Sequence, residues 1–129
     1  MDRGSLFSDK ITAAAAEVHR ILGGPGLLEN VYEAALGHEL TLLGFAVQRQ
    51  VPIQVLYKEV PIREPFFLDI LVNNQLIIEV KATGYDYPYY QNQLITHMRL
   101  MNKPFGMLIN FGKEDIKNGI RTFGIQKNN

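Results

Sequence analysis

A chain of 129 residues with 47% hydrophobic and 20% charged content has the size and core of one domain, expected to span residues 1–129. A formal net charge of zero argues against a strong non-specific binder of phosphate backbones, and the absence of cysteine excludes disulfides and thiolate metal sites. No apolar run reaches bilayer length and MDRGSLFSDK lacks a signal-peptide core, so a cytoplasmic protein without membrane contact is expected.

Residues 8–22, SDKITAAAAEVHRIL, predict a first helix, with Ser8 or Asp9 as its cap and an alanine run to favour it. GGPG at 23–26 stops that helix. A second helix is expected over 27–43, where Leu28, Val31, Tyr32, Ala35, Leu36, Leu40 and Leu43 recur at helical spacing before Gly44. The pattern then changes to period two. AVQRQVPIQVLYK, 46–58, predicts one strand, with Pro52 marking an edge or a bend. PFFLDILV and LIIEVKA predict two buried strands joined at Asn73-Asn74-Gln75. A third helix is expected from Tyr87 to Met101, with Leu94, His97, Met98 and Met101 on one face. Strands at 105–112 and 120–126 complete an α+β order built on a mainly antiparallel sheet.

Three charges interrupt the apolar hairpin: Asp69, Glu79 and Lys81. Glu79 and Lys81 are two apart and leave a strand on one face. Asp69 joins them only in one register. A two-residue turn would set Leu68 opposite Glu79, whereas a three-residue loop at 73–75 would pair Val72 with Leu76 and face Asp69 to Glu79. If the three converge, paired carboxylates call for a divalent cation, and oxygen donors suit Mg²⁺ or Mn²⁺. The carbonyl of Val80 is a further candidate donor, and Lys81 would act on the attacking water or on phosphate charge. Taken alone, the same three residues read better as an exposed sheet face with a cross-strand ion pair. Gly26, Glu29 and Tyr32 are likewise three apart at the start of the second helix. There Glu29 alone reads as a dipole-favoured capping residue and Tyr32 as core.

VHRILGGPGLLENVYEAAL, VPIQVLYKEV, LDILVNNQLIIEVKA and GMLINFG together resemble the small bacterial and archaeal proteins named for a G-x-x-E-x-x-Y motif, a family within the PD-(D/E)XK nuclease superfamily. The resemblance runs over roughly residues 8–126. It implies a restriction-endonuclease-like αβββαβ core, with a mainly antiparallel central sheet flanked by helices. It also implies that Asp69, Glu79 and Lys81 are the catalytic set and that Glu29 supplements the metal site. Gln93 matches the glutamine of a Q-x-x-x-Y pattern, and His97 stands where tyrosine is usual. His19, in the VH of the pattern, is at most a supporting residue. The tyrosines of YDYPYYQ, 85–91, either stack on bases or pack at the rim.

The function expected is a Mg²⁺- or Mn²⁺-dependent nuclease hydrolysing DNA, or alternatively RNA. The competing expectation is a non-catalytic module that binds nucleic acid or a partner on the same fold. A homo-oligomer or a partner protein that supplies nucleic-acid binding also fits the missing basic surface.

Overall fold

The computed structural model describes the backbone of residues 3–125 and the side chains of 7–125. Helix α1, Arg3–Leu22, is followed by α2, Glu29–Leu42, and the edge strand β1, Val47–Ile53. A small ribbon, β2 (Leu56–Tyr57) and β3 (Val60–Pro61), leads to the hairpin β4 (Phe66–Val72) and β5 (Leu76–Lys81). Helix α3, Pro88–Met101, crosses to β6, Phe105–Asn110, and a 3-10 turn at Ile116–Gly119 leads into β7, Ile120–Gly124. The five-stranded sheet runs β1-β4-β5-β6-β7, antiparallel throughout except for the parallel β5–β6 pair that α3 connects. This is the α+β architecture with a mainly antiparallel sheet flanked by helices that the element order predicts. Among the described residues no helix is long and apolar enough to cross a membrane.

Two apolar layers hold it. Ile11, Ala15 and Val18 of α1 and Tyr32, Leu36 and Leu40 of α2 pack on Ile70, Ile78, Val80 and Ile109 of the sheet. Leu94 and Met98 of α3 pack with Leu71, Ile77 and Leu108. A Cβ added at Gly106 would come within 2.5 Å of Met98 Sδ, so the missing side chain is what lets α3 lie close to β6.

The hairpin takes the three-residue loop. Val72 pairs with Leu76, Leu71 with Ile77 and Ile70 with Ile78. Asn73 and Asn74 adopt φ of 50° and 55°, a left-handed conformation asparagine tolerates better than most residues. Asn73 is also held from outside, its Oδ1 accepting from the Ala46 amide at 2.8 Å.

Several expectations need correction. The single strand at 46–58 is two elements, because Lys58 and Glu59 take φ of 51° and 69° and fold Leu56–Tyr57 back onto Val60–Pro61. Ser8 and Asp9 do not cap α1, since they lie inside a helix that starts at Arg3. The second helix begins at Glu29 rather than Leu27, and Leu28, Val31 and Leu43 are exposed rather than core. The buried strand at 105–112 ends at Asn110, and Phe66 and Phe67 of the hairpin are exposed. Gln126 of the predicted last strand lies outside the described residues.

Candidate active site

The β4–β5 ladder ends at the Ile70–Ile78 pair, and Asp69 and Glu79 are the residues that follow it on the two strands. There the Asp69 side chain turns across the strands, and its Oδ2 accepts the Val80 amide at 2.8 Å. Asp69, Glu79 and Lys81 open into one cavity of about 520 Å³, bordered also by Glu29 of α2 and by Tyr89, Gln93, Thr96 and His97 of α3. The hairpin thus presents its charges to a built cavity rather than to open solvent. Val80 turns the other way, its side chain wholly buried in the α1–α2 layer.

Each predicted residue has a definite place. Glu79 is buried and takes a hydrogen bond from Nδ1 of His97, so the imidazole in the tyrosine position reaches the carboxylate. Gln93 borders the same cavity one turn earlier on α3 but is itself exposed. Lys81 sets its ammonium 4.6 Å from the centre of the Tyr90 ring, a cation–π seat that restrains a long side chain. Glu29 makes no cap: Leu28 holds that position without a side-chain hydrogen bond. Tyr32 is core, stacked on Phe111 at 4.7 Å and donating its hydroxyl to the Gly24 carbonyl. His19 lies outside the cavity and donates from Nε2 to the Lys113 carbonyl at 2.8 Å, a tie between α1 and the loop after β6.

The electrostatics are those of crowded carboxylates. Burial pushes the Asp69 carboxyl up to about 7; the Val80 amide opposes this, and Glu79, Glu33 and Glu29 add to it. Burial likewise raises Glu29, Lys81 pulls it back, and Glu79 and Glu33 push it up again.

Glu33 is the residue sequence reasoning missed. It is buried on α2, one turn beyond Glu29, and accepts from Arg49 Nε and Nη2 and from Gln50 Nε2. Gln50 has a φ of 53° and falls between the Arg49–Ile70 and Val51–Leu68 pairs, beside Asp69. The carboxylate of Glu33 therefore braces the strand next to the site. The available signal was Glu33 at i+4 from Glu29 on a helix otherwise packed by Tyr32 and Leu36.

Behind Lys81 the chain is clamped by Asn110. This wholly buried side chain accepts from the Thr83 and Gly112 amides at 3.0 and 2.9 Å and donates to Asp86 at 2.9 Å. A side chain at Gly112 would collide with the Thr83 backbone, so the two segments touch directly. Asn110→Ala strands two amides and is expected to lower stability by about 2–4 kcal/mol. Urea unfolding measures this, and an unchanged midpoint would deny the clamp its role.

The donor chemistry fits a hard divalent cation: Asp69 and Glu79 supply oxygens, and mutual repulsion together with burial leaves Asp69 in want of a positive partner. Among the described residues no three His, Asp or Glu side chains form a compact metal-binding group, and Glu29 does not complete one. No curated protein and no solved structure gives a significant match to the chain. A family model does match, over residues 5–123, and the acidic pair, the lysine and strands β1 to β6 lie within that span. The chain belongs to the PD-(D/E)XK nuclease superfamily.

Proposed function

We propose that the chain is a divalent-metal-dependent nuclease of the G-x-x-E-x-x-Y kind, hydrolysing phosphodiester bonds of DNA or RNA in a single domain. The observation that carries this is the meeting of Asp69, Glu79 and Lys81 in one cavity, under a helix that delivers His97 to Glu79. Asp69 and Glu79 would hold Mg²⁺ or Mn²⁺, with the Val80 carbonyl as a further donor and Glu29 acting at longer range. Such an ion, when bound, makes water acidic and neutralises phosphate charge.

The remaining work falls to the chain. Water adds at phosphorus and gives up a proton to solvent, while the P–O bond to the leaving oxygen breaks and that oxygen takes a proton from solvent, giving a phosphate monoester and an alcohol. The Lys81 ammonium orients the attacking water and opposes the charge that builds on the phosphate oxygens. His97 fixes the rotamer of Glu79, and the Asp69 carboxylate is oriented by the Val80 amide. Gln93, exposed where it borders the cavity, would hydrogen-bond a phosphate or sugar.

Zero net charge favours a second reading, a non-catalytic module or a subunit whose partner protein supplies nucleic-acid affinity. Purified protein incubated with single- and double-stranded DNA and RNA separates the two. Cleavage is expected with Mg²⁺ or Mn²⁺ and none in chelator. Absence of both cleavage and metal binding would select the module.

A further inference from the structure

The cavity is poor in cations. Among the described residues three carboxylates, Glu29, Asp69 and Glu79, face one lysine, and no arginine lines it. Without a metal ion the side chains of this cavity offer a polyanion little through phosphate contacts. Aromatic rings line it instead: Phe66, Phe67 and Tyr89. Tyr89 in turn belongs to a run of ring contacts that starts at Tyr90 under the Lys81 ammonium: Tyr90 to Tyr89 at 4.9 Å, Tyr89 to Tyr87 at 5.7 Å, and Tyr87 to Tyr85 at 4.8 Å. Tyr90 is buried, but Tyr89, Tyr87 and Tyr85 are 55%, 44% and 60% exposed. On β4, Phe66 and Phe67 border the same cavity, also exposed, and Arg63 lays its guanidinium 3.9 Å from the centre of the Phe66 ring.

Exposed rings in such number are unfavourable in water and mark a binding surface. Their mutual contacts hold them in place before any ligand arrives, so little side-chain entropy is lost on binding. Flat rings beside a phosphodiesterase cavity suit unpaired bases, whose faces a duplex hides within its own stack.

We propose that the substrate is single-stranded nucleic acid, held by stacking its bases on the Tyr85–Tyr87–Tyr89 face and on Phe66 and Phe67. The proposal rests on the nuclease reading of the cavity. The strand gains its affinity from bases, and its backbone is delivered to Lys81 by the path of the rings.

The test is equilibrium binding in chelator, where no cleavage intervenes. The probes are a short labelled oligodeoxynucleotide, its duplex, and an abasic strand of equal length. The base-bearing strand is expected to bind about tenfold or more tighter than either control, with a shallow salt dependence. Tyr87→Ala and Phe67→Ala should each weaken it by roughly 5- to 100-fold, and Tyr87→Phe should restore it. Equal binding of base-bearing and abasic strands, preference for the duplex, or no binding at all would overturn the proposal. So would Tyr85→Ala or Tyr87→Ala variants that change only self-association, since the rings would then be a protein interface. Hydrolysis of bis(p-nitrophenyl) phosphate by the unmodified protein with Mn²⁺ is scored separately. Hydrolysis without base preference sinks the stacking proposal alone, and base preference with neither hydrolysis nor metal binding sinks the nuclease reading alone.

Discussion

Asp69→Asn is expected to make the metal-free protein more stable at pH 8 while abolishing its response to Mg²⁺. The folded state holds the Asp69 carboxyl up at about 7 against an ordinary 3.8, so it binds this proton more tightly than the unfolded chain. This contribution to stability is therefore greatest below the unfolded value, falls as pH rises towards 7, and is lost above it. Asparagine has no charge to bury and still offers an oxygen to the Val80 amide. The gain at pH 8 is on the order of 2–4 kcal/mol and vanishes below about pH 4. Adding Mg²⁺ stabilises the unmodified protein by ligand linkage and leaves the variant unmoved. Melting curves at pH 4 and 8, in chelator and in Mg²⁺, read all four values. A variant less stable than the parent at pH 8 would contradict the crowded-carboxylate account of the site.

The second large effect is expected at Lys81. Lys81→Met should lower turnover by ~10²–10³, the scale for removing one preorganised charge-stabilising donor, while the midpoint of a metal titration stays where it was. The separation follows from the proposed role: the ammonium is seated on Tyr90 at the cavity wall and would act on the phosphate rather than hold the metal. Glu29 would lose the cation that pulls its pKa down, so any acidic limb it contributes moves to higher pH. Single-turnover cleavage beside metal-dependent melting measures the two quantities independently. A loss shared equally between them would make Lys81 a structural partner of the carboxylates instead.

The sequence carried the hairpin well, for a physical reason. Strand parity has only two outcomes, and Asn73-Asn74-Gln75 offered residues that accept left-handed φ, so the sequence permitted, without forcing, the register in which Val72 pairs with Leu76. The helix period also placed His97 and Gln93 on the side of α3 that borders the cavity. The β2–β3 ribbon was not legible, because lysine and glutamate at its turn carry none of the asparagine–glycine signal of such turns. Glu33 was hidden for another reason. A glutamate in a helix reads as solvated unless its partner is known, and Arg49 lies sixteen residues away on a strand. Phe66 and Phe67 looked like core because apolar pattern records hydrophobicity and not what the fold leaves uncovered.

The left-handed Gln50 has a consequence for aggregation. Strand β1 is an edge of the sheet, paired on one side with β4. A flat edge of that length is a template on which a second chain can add a strand. At φ 53° the backbone of Gln50 leaves the extended conformation, and two residues on Pro52 has no amide hydrogen to offer. The row of donors and acceptors that a docking strand would need is broken twice within seven residues. The twist that lets Gln50 reach Glu33 thus also makes the β1 edge a poorer template for an added strand.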